Sequence, residues 1–261
     1  DIIYSFDFDY NRILIDNFIP VLCFMHERSC LEEIGLFDES LKRLEDWDMW
    51  IRMSRKFKFE HIKKLTCEFT WRTDGTTMSS GQVEEFVQAR KRIAEKYLHL
   101  RQTRDSQPRF SEPERLSLVS MVILTFNQIE YTKGCVESIR KHTLEPHEII
   151  FVDNGSTDGT VQWLRELIKG NNHYKLIENK TNLGFAKGCN QGIEAAKGTH
   201  ILLLNNDTVV TPGWLSGLLE CLQSSPDVGI VGPMTNSISG IQMVPEVGYA
   251  ETTELDRGEP V

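Results

Sequence analysis

Acids and amides recur in this chain where apolar runs stop. Ile201–Leu204 runs straight into Asn205, Asn206 and Asp207. Glu148–Val152 runs into "DNGSTDGT", which brings Asp153, Asn154, Ser156 and Asp158. Val119–Phe126 ends with Thr125 and Phe126 and is followed by Asn127, and "YKLIEN" leads into "NKTNLGFAKG", with Asn182, Gly184, Lys187 and Gly188. A further group, Glu45, Asp46 and Asp48, stands in "RLEDWDMW". Each invites a definite chemistry. An acid after a strand can accept hydrogen bonds from a base or ribose. An acid beside an amide can hold a hard divalent cation through oxygen, and such a cation stabilises a diphosphate leaving group. A carboxylate at a helix start beside a bound sugar can deprotonate an acceptor hydroxyl. Turn chemistry explains any one of these loops by itself, and first-turn acids also complement a helix dipole. Recurrence after four strands points to a site. No G-x-G-x-x-G follows the first strand and no G-x-x-x-x-G-K-[ST] occurs, which disfavours a dinucleotide or P-loop site. His26, His61 and His200 lack metal-ligand spacing and read as structural.

The elements that must position these groups fall into two patterns. From Val119 onward, strand and helix alternate. "VSMVILTF", "EIIFV", "YKLIEN", "HILLL" and "VGIVGP" read as strands. "EYTKGCVESIRKH", with Tyr131, Cys135 and Ile139 four apart, reads as a helix, as do "STDGTVQWLRELI", "GFAKGCNQGIEAAKG" despite its glycines, and "TPGWLSGLLECLQ" with Pro212 near its first turn. This rhythm predicts a mostly parallel sheet covered by helices on both faces. Ligands in such sheets bind beyond the carboxyl ends of the strands, where the polar loops lie. Before "HLRQTRDSQPRFSEPERLS" the pattern is mixed. "SCLEEIG" reads as a short helix capped by Ser29, "EDWDMWIRMSRK" as a helix, and "KLTCEFTWR" as a half-buried strand. "VEEFVQARKRIAEKYL" reads as an amphipathic helix on Val83, Phe86, Val87, Ile93 and Tyr97. The expectation is an accessory α+β half, residues 1–105, a linker at 106–117, and an α/β half, residues 118–261.

The bulk numbers narrow the partners. The chain has 261 residues and a formal net charge of −9, with 40% hydrophobic and 26% charged residues, as in a globular protein. The acidic balance argues against nucleic acid as a partner. Six cysteines include no C-x-x-C pair and read as buried thiols. No apolar run approaches the roughly 18 residues of a membrane span. The start, "DIIYSFDFDYNR", without Met or signal peptide, suggests an excised fragment.

At these residues the sequence resembles the inverting glycosyltransferases of family 2, with the GT-A fold. "VSMVILTFNQ", "IIFVDNGSTDGT", "NLGFAKGCNQGI" and "HILLLNNDTVVTPGWL" look like the donor-binding N-terminal part of such a domain. "NFIPVLCFMHERSCLEEIGLFDESLKRLEDWDMWIR" looks like the acceptor-side C-terminal part with its E-D motif. The resemblance implies transfer of a sugar, of hexosyltransferase type, from a nucleotide-diphosphate donor to a glycan or lipid-linked glycan hydroxyl in polysaccharide synthesis. Thr125, Asn127 and Asp153 would contact the nucleotide, with Asn182, Gly184 and Lys187 along the donor pocket. Asp207 and Asn205 would hold Mg²⁺ or Mn²⁺, Asp46 would be the catalytic base, and Glu45 would support it. A cytoplasmic location, open to peripheral association with the inner membrane face, follows from the same likeness. Asn205 stands where the family's D-x-D has its first acid, so the cation would be held more weakly. The halves also come in inverted order. That fits a fragment joining the end of one domain to the start of the next, a permuted unit, or a dimer exchanging halves; the linker stretch spans up to roughly 60 Å extended. Rival readings are a non-catalytic nucleotide-sugar-binding module and a sugar nucleotidyltransferase, the latter lacking its Gly-rich basic loop.

Overall fold

The computed structural model describes residues 8–19, 23–69, 83–102, 118–225 and 228–235. The predicted linker and Trp71 lie outside them, and side-chain burial is not described for 63–69. The elements of the first half are α1 (Tyr10–Ile13), β1 (Cys23–Glu27), α2 (Arg28–Ile34), α3 (Glu45–Ser54), β2 (Lys58–Phe69) and α4 (Val83–Lys96), with a 3-10 turn at Leu98–Gln102. The second half gives β3 (Val119–Thr125), α5 (Ile129–His142), β4 (His147–Asp153), α6 (Thr160–Ile168), β5 (Tyr174–Glu178), α7 (Phe185–Ala195), β6 (His200–Leu204), β7 (Thr208–Val210), α8 (Trp214–Leu222) and β8 (Val228–Thr235).

Both halves build one eight-stranded sheet, in the order β5-β4-β3-β6-β1-β8-β2-β7. The predicted mostly parallel α/β sheet is found. β5, β4, β3 and β6 pair in parallel, as do β8 and β2. β1 runs antiparallel to both β6 and β8, and β7 antiparallel to β2. The first half therefore does more than cover the sheet: β1 sits inside it, its five residues paired from Cys23↔Leu204 to Glu27↔His200.

Alternation along the strands sends side chains to two cores. Met121, Ile123, Ile149, Phe151, Leu202 and Leu204 pack with α5, α6 and α8 on one face. Val122, Ile150, Val152, Ile201 and Leu203 pack on the other with α7 and with the first half's Trp47, Trp50, Phe57 and Phe59. The glycines of α7 explain its closeness to the sheet. A Cβ at Gly188 would stand 2.8 Å from Leu124 Cδ2, and one at Gly192 would overlap Val122. Lost helix propensity, about 1 kcal/mol each, is exchanged for that approach.

Several local expectations change. Ser29 lies inside α2, whose N-cap is Glu27 without a side-chain capping bond; the Ser29 hydroxyl donates to Glu27 Oε2 (3.1 Å) instead. Glu45, Asp46 and Asp48 form the first turn of α3 rather than flanking it. On α4, Ile93 and Tyr97 are buried, but Val87 is 55% exposed. The N-terminal half is held by Arg43, which donates to Glu85 (3.3 Å) and lies over the Phe86 ring.

Candidate active site

The ends of β3 and β4 are tied into one loop system. Asp153 is completely buried and both its oxygens are taken. Oδ1 accepts from the backbone N–H of Gly155 (3.0 Å) and Ser156 (2.8 Å), and Oδ2 from the hydroxyls of Thr125 (2.8 Å) and Ser156 (2.5 Å). Asn127 answers from the neighbouring strand. Its N–H donates to Ser156 Oγ (2.7 Å), and its Oδ1 accepts the N–H of Thr157 (2.8 Å). Asp158 accepts from the hydroxyl of Thr160 (2.6 Å) and from the N–H groups of Ile129 (3.0 Å) and Thr160 (3.1 Å), which together hold its carboxyl below the usual range despite partial burial. Asn127 and Gln128 sit at φ 56° and 63°, unusual for residues with a side chain.

Three further predicted residues line the start of α7. Asn182 Oδ1 accepts from the N–H of Gly184 (2.9 Å), and the Gly184 carbonyl accepts from Asn154 Nδ2 (3.2 Å). Gly184 is the N-cap, at φ 87°. Lys187, in the first turn, is exposed. Between β6 and β7, Asn205 is partly exposed, its carbonyl accepting from Thr208 N–H (3.2 Å). Asn206 Nδ2 donates to Thr132 Oγ1 (3.0 Å), and Asp207 is 5% exposed. No group of three or more His, Cys, Asp or Glu able to hold a metal occurs among the described residues. Asp207 and Asn205 bring one carboxylate and one amide oxygen to this loop, donor types that a hard divalent cation takes.

The first turn of α3 is a different environment. Leu44, just before it, is held at φ 58°, strain of the kind that gathers at functional sites. Glu45 is 6% exposed, and burial, reinforced by the charge of Asp46, pushes its carboxyl up to about 7. Burial also raises the Asp46 carboxyl, against the hydrogen bond from Asn17 Nδ2 (3.0 Å to Oδ2); its Oδ1 accepts from Trp47 N–H (2.8 Å). Asp48 is structural: fully buried, it accepts from Lys96 Nζ (2.7 Å), Tyr97 OH (2.7 Å) and Arg52 Nε (2.9 Å), pinning α4 to α3.

The fold brings this turn towards the strand-end loops through α7. α3 packs on α7, and Glu45 lies close enough to Cys189 for its charge to help raise that thiol, after burial. Cys189 adjoins Gly188, which abuts Leu124 on β3 and Asn154 in the β4 loop. Phe37 meets Phe185 edge-on at 5.9 Å. Asn17 and Asn190 were not singled out from the sequence, because an isolated amide carries no pattern. Only the fold shows Asn17 on Asp46 and Asn190 on the backbone of Phe37.

Comparison with known proteins fits this arrangement. Residues 120–244 match the model for Glycosyl transferase family 2. The matched stretch runs from β3 through β8, and so contains every strand-end loop described above. An uncharacterized glycosyltransferase of Haemophilus influenzae is 31% identical over 119 residues, 46% of this chain and 37% of its own length. The uncharacterized protein y4gI of Sinorhizobium fredii is 28% identical over 245 residues, 86% of this chain and 26% of its own. The chain thus spans about a quarter to two-fifths of the length of these relatives. Among solved structures, a Pyrobaculum calidifontis mannosyltransferase in complex with GDP-Man and Mn²⁺ is 21% identical, with a TM-score of 0.39, covering 42% of this chain and 34% of its own.

Proposed function

We propose that this chain carries a sugar-transfer site of glycosyltransferase type: donor a nucleotide-diphosphate sugar, acceptor a glycan or lipid-linked glycan hydroxyl, outcome inversion. The observation that carries the reading is the convergence of the Glu45–Asp46 turn and the strand-end loops on α7, within one sheet. The nucleoside lies against the Thr125–Asn127 and Asp153–Ser156 loops. The diphosphate lies towards Asn182, Gly184 and Lys187 at the N-terminus of α7, where backbone N–H groups and the helix dipole favour anions, and towards Asn205 and Asp207. Those two would hold a divalent cation, which would supply neutralisation of the charge on a departing diphosphate. Asp46 takes the proton from the acceptor hydroxyl; its raised carboxyl makes it a better base than a surface aspartate. The acceptor oxygen then bonds to the anomeric carbon on the face opposite the diphosphate, which leaves with its bonding electrons. Glu45 keeps a second carboxyl beside the base.

In this reading residues 1–105 are the acceptor side and 118–261 the donor side, joined within one chain as a permuted unit. Among the described residues no helix is long and apolar enough to cross a membrane; a lipid-linked acceptor, in this reading, is met by peripheral contact at the inner membrane face. The test is nucleoside diphosphate release from UDP-GlcNAc and GDP-mannose with Mn²⁺, with the anomer of the product read by NMR. Turnover abolished by both Asp46→Asn and Asp207→Ala is expected. Unchanged turnover in both overturns the site.

A second reading, a nucleotide-sugar-binding module without turnover, is favoured by Asn205, which brings no charge to a cation, and by Asp153, whose oxygens are already engaged. Calorimetry with UDP and GDP separates the two: Mn²⁺-dependent binding with no hydrolysis or transfer supports the module.

A further inference from the structure

We propose that Asn190 is a positioning residue that couples the donor-side helix α7 to the acid pair Glu45–Asp46, an inference that rests on the transferase reading above. On α7, Gly188 and Gly192 face the sheet at Leu124 and Val122. Asn190, midway between them, projects from the opposite side of the helix. It is 4% exposed and its amide is fully used. Oδ1 accepts the N–H of Phe37 (3.0 Å), and Nδ2 donates to the carbonyl of Phe37 (3.0 Å) and to Glu39 Oε1 (3.1 Å). Accepting from an N–H while donating to the C=O of the same residue requires a primary amide. Aspartate lacks the donors, leucine lacks both, and glutamine is one methylene too long.

The clamped segment leads to the acids. Its beginning is held from α3, where Arg52, fixed by Asp48, donates to the carbonyls of Ile34 (2.7 Å), Gly35 (3.3 Å) and Leu36 (2.9 Å). Its middle is held from the other half by Asn190, with Phe37 closed over Phe185, and from α4 by Lys96 on Asp38 (3.2 Å) and Arg92 on the Ser40 hydroxyl (3.1 Å). It ends at Leu44 in its left-handed conformation, and Glu45 and Asp46 follow. α7 starts with Gly184 and Lys187. Beside the direct packing of α3 on α7, this clamp is the hydrogen-bonded link by which a displacement of α7 reaches the segment before the acids.

The test compares Asn190→Asp and Asn190→Leu with the parent, using UDP-GlcNAc and GDP-mannose with Mn²⁺, from pH 6 to 9. Both variants should lower kcat about tenfold or more at pH 8, as misplaced catalytic groups do, while KM for the donor stays within about twofold. For Asn190→Asp alone the deficit should shrink towards pH 6, where the introduced carboxyl protonates and regains a donor. Equal losses in kcat and donor affinity, or no pH-dependent recovery, overturn the proposal. Amide exchange gives a readout independent of turnover: residues 37–46 should exchange faster in both variants, with β3 and β6 unchanged. Parental exchange at 37–46 also overturns it. If the parent transfers neither sugar, the transferase reading fails, and the exchange comparison still decides whether the clamp exists.

Discussion

Two buried carboxylate sites face each other across α7, and they are built on opposite terms. Asp153 is wholly inside the protein and receives four hydrogen bonds, two from backbone and two from hydroxyls. Glu45 is almost as buried, yet burial and Asp46 dominate its surroundings and lift its carboxyl to about 7. A buried charge with a full set of donors is architecture: it orders the loop between β4 and α6. A buried acid kept short of donors is a cost retained at a site, the pattern that marks groups poised for proton transfer. The difference teaches that the apparent nucleotide-side acid shapes its loop before anything binds, whereas the α3 turn holds protonation chemistry in reserve.

The largest effect should come from removing the proposed base. Asp46→Asn should lower kcat by roughly 10²–10⁴ with little change in thermal stability; a variant with full turnover would erase the functional side of the contrast. Asp153→Ala should act on stability, and on the nucleotide loop it orders. It leaves four donors without their acceptor and should cost about 2–4 kcal/mol of stability, read as a shifted urea midpoint. Glu45→Gln sharpens the comparison through pH. The folded state raises this carboxyl, so it binds more protons than the unfolded chain between about 4.5 and 7. Glu45 therefore lowers stability progressively as pH rises through that window. The variant should flatten the profile and gain on the order of 2–3 kcal/mol over the parent above pH 7, measured by denaturant melts at pH 5 and 8. Smallest, Asn205→Asp should tighten Mn²⁺ binding by about tenfold or less, by adding one charged ligand; calorimetry with UDP present would show it.

Much of this was legible in the second half. Its strands are unbroken apolar runs, because both faces are buried, and its helices are periodic. The acids and amides after those strands were legible by type alone. β1 was not. "CFMHE" neither alternates nor looks aliphatic, yet Cys23, Phe24, Met25 and His26 are all buried, because strands flank it on both sides. His26 is accommodated as neutral imidazole, its pKa pushed by burial down to about 4. The partners of the acids were equally invisible. Asn17 and Asn190 matter only through residues 29 and 153 positions away, and no local pattern encodes such a meeting. The glycines of α7 looked like a weakness in a helix; packed on Val122 and Leu124 they are a condition of its place.

The position of β1 also has a consequence for how the molecule is made. Met25 pairs with Val231, and His26 with Ile230, so β1 leaves the ribosome well before the strands that come to flank it. Until β6 and β8 are synthesised, β1 has no strand beside it, and until β1 arrives the β6 edge stays open. Such non-local closure is slow and leaves sticky strand edges exposed meanwhile. Completion of the sheet, rather than collapse of either half, is the expected rate-limiting event and the stage most dependent on chaperones.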